Sequence, residues 1–163
     1  RVTVVVRAAA RDDLAAVREL FSEYVAAPHN EALFHSYLEQ QHFDDELAGL
    51  PGEYSPPLGA LLLAEQDGVP IGCVALKPLA PNVCEMKRLY VRPEARGLGA
   101  GRALVDALIA TARYAGYGFM RLDSMPSMHD AQRLYRSYGF YEIAPYNANP
   151  VKGSVFFELN LKQ

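Results

Sequence analysis

The chain has 163 residues, 50% hydrophobic and 21% charged, which suits one globular domain that buries its own core without disulfides or a structural metal. Its net charge of −3 excludes the broad basic field that drives non-specific nucleic-acid binding. No apolar run approaches the ~20 residues that span a bilayer, and the opening Arg1-Val2-Thr3-Val4-Val5-Val6-Arg7 is too short for a secretory leader. A cytoplasmic location is therefore expected, with neither a membrane nor a nucleic acid as partner.

The β-branched residues 2–7 predict a strand. Leu14, Val17, Leu20, Phe21, Tyr24 and Val25 recur at helical spacing and predict an amphipathic helix over 12–26, with Asp12 as N-cap and Pro28-His29-Asn30 as its end. Leu33, Phe34, Tyr37, Leu38, Gln41 and Leu47 predict a second helix over 31–49. Residues 50–59 hold Pro51, Pro56, Pro57, Gly52 and Gly59 and read as a loop. Strands follow over 60–65 and 71–76, joined by the hairpin signal Asp67-Gly68, and Pro78 to Asn82 turns the chain into a strand over 84–91. An Ala- and Leu-rich helix is expected over 99–115, a strand over 119–124, a short helix over 130–138, and strands over 140–144 and 155–161.

The resulting order, β-α-α-β-β-β-α-β-α-β-β, is a mixed α/β layout on one sheet, and nothing divides residues 3–163 into more than a single domain. Cys73 and Cys84 lie in apolar strand-like runs without metal-ligand spacing, so they read as buried thiols, with a reactive thiol or disulfide as the alternative. His29 and His35 show no partner pattern for a metal, and none is expected.

The segment Arg96-Gly97-Leu98-Gly99-Ala100-Gly101 joins a strand to a helix. Glycines there let the backbone approach a ligand, and the unpaired first amides of a helix favour an anion. Arg88, Arg92, Arg96 and Arg102 surround the segment and can add full charges; they can equally be solvated surface residues, and the turn can simply feed a close-packed helix. A Walker A loop is excluded because no Gly-Lys-Ser/Thr follows. The preceding topology rules out the dinucleotide-binding fingerprint.

Arg-x-x-Gly-x-Gly at 96–101, preceded by Glu85-Met86-Lys87-Arg88-Leu89-Tyr90-Val91-Arg92-Pro93, resembles motif A of the GNAT N-acetyltransferase family. Ala131-Gln132-Arg133-Leu134-Tyr135-Arg136-Ser137-Tyr138-Gly139-Phe140 resembles its motif B, and the resemblance is close over 60–161. It implies an α/β (α+β) fold: a mostly antiparallel sheet of about seven strands with a splayed parallel pair, flanked by about four helices. It also implies an acyl-CoA-dependent N-acetyltransferase with acetyl-CoA as co-substrate.

Under that resemblance the strands at 84–91 and 119–124 run parallel and splay to admit the pantetheine arm. Leu89, Tyr90 and Val91 would supply backbone contacts and a donor to the thioester carbonyl, while Arg96, Gly97, Leu98, Gly99, Ala100, Gly101 and Arg102 hold the pyrophosphate. Glu85 is the candidate base, placed on the same sheet face as Leu89 by even spacing; its alternatives are a surface pairing with Lys87 or Arg88, or a water relay. Tyr135 would assist the departing thiolate, or else is a packed helix tyrosine. Tyr138 reads as core or substrate wall. Many family members carry Asn at the position of Met128, so cofactor contacts from that loop depart from the pattern.

The family's architecture makes Tyr24, Phe34, Tyr37, Tyr146 and Asn149 candidates for the acceptor pocket, together with His29, Gln41 and Asn147. Their character suggests a small polar or aromatic amine, an amino acid among them. No Cys or Ser nucleophile is evident, which favours direct attack in a ternary complex. A protein or peptide N-acetyltransferase, a non-catalytic acetyl-CoA sensor and pairing into a homodimer stay open.

Overall fold

The computed structural model describes residues 3–27 and 42–162. Seven strands form one sheet: β1 (Val4–Ala8), β2 (Ala60–Gln66), β3 (Val69–Ala80), β4 (Val83–Val91), β5 (Phe119–Ser124), β6 (Tyr141–Ile143) and β7 (Val155–Asn160). Their spatial order is β1-β2-β3-β4-β5-β7-β6, with every neighbouring pair antiparallel except β4 and β5. Four α-helices accompany it among the described residues: α1 (Leu14–Ala26), α2 (Phe43–Ala48), α3 (Ala100–Tyr114) and α4 (His129–Ser137).

Alternation along the strands gives the sheet two apolar faces, each with its own helices. One face sets Leu62, Val74, Leu76, Met86, Met120 and Leu122 against Leu104, Val105 and Leu108 of α3 and Tyr135 of α4. The other sets Leu61, Leu63, Cys73, Ala75 and Tyr90 against Val17, Leu20 and Phe21 of α1 and Phe43 of α2.

Several element ends differ from expectation. The first helix begins at Leu14, after a 3-10 turn over Arg11–Asp13. Asp13 rather than Asp12 occupies the junction, where its carboxylate accepts the Ala10 N–H at 2.7 Å and pairs with Arg7 at 2.7 Å. Of the helix expected over 31–49, residues 31–41 lie outside the described residues; its last part is α2. Strand β3 runs on through Pro78, which faces Cys84 beside a register shift, a ladder position where a missing N–H is tolerated. Asp67 and Gly68 turn the β2–β3 hairpin at φ 50° and 78°, the geometry that Asp-Gly favours.

Two irregularities shape the middle of the sheet. The β4–β5 ladder holds only at Val83/Phe119, Cys84/Met120 and Glu85/Arg121, and beyond that the strands part. Within β4, Tyr90 faces Cys73 and Lys87 faces Ala75, so Val74 alone opposes Arg88 and Leu89. This is a β-bulge, with Arg88 at φ 62°, a strained conformation for a residue bearing Cβ. The bulge inverts the side-chain phase: Met86, Leu89 and Val91 pack toward α3, whereas Tyr90 packs toward α1.

The Arg88 side chain holds this bend. Its Nε and Nη2 donate to both carboxylate oxygens of Glu46 on α2 at 3.1 and 3.0 Å, and its guanidinium lies 5.2 Å from the Phe43 ring centroid. The Cys73 thiol donates to the Arg88 carbonyl at 3.4 Å, so this buried thiol satisfies a carbonyl of the bulge. Arg88 is only 3% exposed at its side chain, so removing its counter-charge is costly. Glu46→Ala is expected to destabilise the fold by about 3 kcal/mol in urea unfolding. A loss below about 1 kcal/mol overturns the view that α2 locks the bulge.

Candidate active site

The parting of β4 and β5 opens a cleft of about 480 Å³ between the two strands. Its walls are β4 from Met86 to Val91, β5 from Leu122 to Ser124 with Met125 just after it, the Gly-rich turn ahead of α3, and residues of α4 as far as Tyr135. Beyond Glu85 no pairing with β5 occupies that edge of β4, so an extended ligand arm can lie along it. Leu89, Tyr90 and Val91 all belong to the wall.

The Gly-rich turn closes one end. Gly97 and Gly99 have φ 85° and 84°, and a Cβ built on either would meet nothing within 4 Å. Open space therefore lies in front of both, on a backbone that only glycine adopts without strain. The Ala103 N–H to Gly99 carbonyl bond, 3.0 Å, is the first of α3, so the amides of Ala100, Gly101 and Arg102 precede the intrahelical ladder. This end of the cleft suits an anion such as a pyrophosphate.

Arg96 lines the cleft and donates through Nε to the Val91 carbonyl at 3.0 Å, which leaves its remaining N–H groups beside the turn. Leu98 and Arg102 are not part of the wall. Leu98 is 38% exposed, and Arg102 lies 5.3 Å from the Tyr138 ring centroid. The Tyr138 hydroxyl donates to Asp106, so that tyrosine braces α3 against α4 and does not line the cleft.

Tyr135 reaches the cleft from α4, its ring packed 5.7 Å from Phe140 and 6.1 Å from Phe157. Burial raises the pKa of its hydroxyl, and the charges of Tyr24 and Asp123 raise it further. The phenol therefore stays protonated, a donor rather than an acceptor. Tyr24 enters from α1, edge-on to Tyr90 at 6.2 Å, and burial pushes its pKa up to about 12.

Glu85 requires a correction. The bulge at Arg88 breaks the even spacing to Leu89, so Glu85 shares the face of Tyr90 while Leu89 turns to the α3 side. Glu85 is 4% exposed at the closed end of the splay, opposite Arg121, and is not part of the cleft wall. It accepts a 2.6 Å hydrogen bond from the Tyr146 hydroxyl, and that ring stands edge-on to Phe156 at 5.3 Å. Tyr146 is thus placed against Glu85 rather than on the cleft wall. Asn149 does line the cleft; Phe34, Tyr37, His29 and Gln41 lie outside the described residues.

Two wall residues escaped sequence reasoning. Lys87, 7% exposed, appeared only as a partner for Glu85, although a lysine inside an otherwise buried strand was the available signal. Burial depresses its pKa, the neighbouring Arg88 depresses it further, and the charges of Glu85, Asp123 and Glu46 act in the opposite sense. Asp123, on β5, accepts N–H donation from Asn147 at 3.1 Å and from Asn149 at 3.2 Å. Nothing local marks it, because both partners come from the loop before β7. Cys73 and Cys84 are buried free thiols, and burial pushes the pKa of each up. Among the described residues no cluster of three or more His, Cys, Asp or Glu could hold a metal ion, and no helix is long and apolar enough to cross a membrane.

Comparison with known proteins agrees with this geometry. The profile of the acetyltransferase (GNAT) family matches residues 14–140. An uncharacterized N-acetyltransferase of Schizosaccharomyces pombe is 44% identical over 125 residues, 76% of this chain and 77% of that protein. Another from Dictyostelium discoideum is 44% identical over 82 residues, 50% of this chain but 38% of that longer protein. The PaiA N-acetyltransferase of Thermoplasma acidophilum, solved in complex with coenzyme A, shares the fold at a TM-score of 0.74 and 21% identity, over 97% of this chain and 99% of that one. The chain belongs to the GNAT acetyltransferase family and is an acyl-CoA-dependent N-acetyltransferase.

Proposed function

We propose that the chain transfers the acetyl group of acetyl-CoA to the primary amine of a small molecule, by direct attack of the amine within a ternary complex. The observation that carries this reading is one cleft with an anion cradle at Gly97 and Gly99 and the buried donor Tyr135 in its wall. The co-substrate supplies a thioester, whose carbonyl is open to an amine and whose thiol is a competent leaving group.

In this reading the amides of residues 97–102 and the Arg96 guanidinium hold the pyrophosphate, and the parted edge of β4 from Leu89 to Val91 pairs with the pantetheine amides. A backbone N–H near Leu89 or Tyr90 donates to the carbonyl oxygen as charge develops there, an effect worth roughly 3 kcal/mol of barrier. Tyr135 donates its proton toward the leaving sulfur. Leu98 and Arg102 contribute from the rim rather than the wall.

An alkylammonium has no lone pair, so the amine must give up a proton before it attacks. Glu85 remains the base in this proposal, but its place behind the wall means that the proton travels to it over a relay. The Cys73 and Cys84 thiols are held protonated by burial, which favours direct attack over an acetyl-cysteine route.

Four measurements test these assignments. Tyr135→Phe should lower kcat about 10- to 100-fold while KM for acetyl-CoA stays within about threefold, and an unchanged kcat removes the leaving-group role. Because burial keeps Tyr135 protonated, its titration should produce no alkaline limb in the wild-type pH–rate profile below about pH 10. Gly99→Ala puts a side chain into the open cradle at φ 84°, and KM for acetyl-CoA should rise at least about tenfold. Glu85→Gln should lower kcat about 100-fold or more, and an unchanged kcat rules out Glu85 as base.

A further inference from the structure

The acceptor side of the cleft carries a pair of opposite charges that acetyl transfer does not by itself require. Lys87 lies two residues beyond Glu85 on β4, and Asp123 two residues beyond Arg121 on β5. Glu85 and Arg121 are the last pair that the two strands share, so Lys87 and Asp123 flank the splay where it first opens. Both belong to the cleft wall, and the Asp123 charge acts on Lys87.

Two nearby carboxylates among the described residues are engaged elsewhere. Glu46 engages the Arg88 guanidinium through two hydrogen bonds, and Glu85 receives the Tyr146 hydroxyl at the closed end. Neither carboxylate lines the cleft. Among the described residues, Lys87 brings an ammonium and Asp123 a carboxylate to the wall where the splay opens, on strands whose spacing grows from roughly 4.8 Å at the last shared pair.

We propose, building on the acetyl-transfer reading, that the acceptor is a zwitterion with its carboxylate next to the reacting amine, as in a free α-amino acid; Lys87 receives the carboxylate and Asp123 the ammonium. An ammonium has three N–H donors, so Lys87 can bind an acceptor carboxylate while keeping contacts within the protein. A charge buried to 7% exposure gains from an added counter-ion in a way that a solvated surface lysine does not. Asp123 is oriented by two amide donors on one carboxylate oxygen, Oδ2.

Acceptors whose two charges are a few bonds apart suit residues on neighbouring strands beside the last shared pair better than ω-amino acids do. A peptide N-terminus would present a neutral amide to Lys87, which disfavours protein acceptors as well. The reaction is a plain acetyl transfer: the N–C bond forms and the C–S bond breaks, and of the two protons the ammonium loses, one goes to the base and the other replaces the proton that Tyr135 gives to the leaving sulfur.

The test measures thiol release from acetyl-CoA with matched acceptors: α-amino acids, their carboxamides, their decarboxylated amines and the corresponding ω-amino acids. The free α-amino acid should exceed its carboxamide and its decarboxylated amine by at least about tenfold in kcat/KM, as loss of a charge-assisted hydrogen bond implies. Lys87→Met should bring that ratio close to one, and Lys87→Arg should retain a preference; titration with coenzyme A verifies that each variant is folded. Equal use of amine, amide and acid by the wild type overturns the zwitterion proposal and leaves acetyl transfer to small amines intact. A Lys87→Met variant that keeps the wild-type ratio also overturns it. If coenzyme A binds yet no acceptor in the panel releases thiol, both readings fail.

Discussion

The whole site depends on a ladder that stops. Parallel strands β4 and β5 share the pairs Val83/Phe119, Cys84/Met120 and Glu85/Arg121 and then diverge. Had they stayed paired, the edge of β4 from Met86 to Val91 would be consumed by sheet hydrogen bonds, and no gap would open in the sheet between the two helical layers. The divergence exposes a strand edge, which in an ordinary sheet invites unwanted pairing. Here the edge lies inside the molecule, walled by α4 and by the turn ahead of α3, so only a ligand that can enter the cleft gains access to it.

The bulge at Arg88 complements that opening. One extra residue in β4 reverses which side chains face which layer, so Met86 and Leu89 both serve the α3 core while Lys87 and Arg88 both serve the α1 side. Two adjacent cations on one face are unavailable to a regular strand. The strained φ of Arg88 and the burial of its guanidinium both cost free energy, and the Glu46 carboxylate, the Phe43 ring and the Cys73 thiol on the Arg88 carbonyl offset it. The short helix α2 thus has a defined role despite its length: it holds the counter-charge of a bend in the central strand.

Burial sets the electrostatics of the cleft. Desolvation raises the pKa of Tyr24 and Tyr135, which keeps both phenols protonated, and lowers that of Lys87, which weakens its hold on its proton. The two ends of the cleft present different chemistry for the same reason. At the Gly-rich turn the backbone supplies partial positive charge without side chains, whereas at the open end of the splay full charges stand on opposite strands.

Much of this was legible in the chain itself. The hairpin at Asp67-Gly68, the strand over 119–124 and the long helix after Gly99 follow from local preferences, because turn chemistry and apolar periodicity act over a few residues. The Arg-x-x-Gly-x-Gly turn and the Leu-Tyr-x-x-x-Gly-Phe block marked the Gly-rich end of the cleft and Tyr135 for the same reason: each is a contiguous segment. The phase of β4 was not legible, since a bulge is decided by the register with β3 and by the Glu46 carboxylate 42 positions away, and so Glu85 was assigned to the wrong face relative to Leu89. Nor was the sharing of one cleft wall by Lys87 and Asp123, which arises from the parallel pairing of two strands separated by α3. The sequence by itself determined the elements and the contiguous motifs; only the tertiary structure decided which charges share the cleft, because strand register and divergence are properties of pairs of strands.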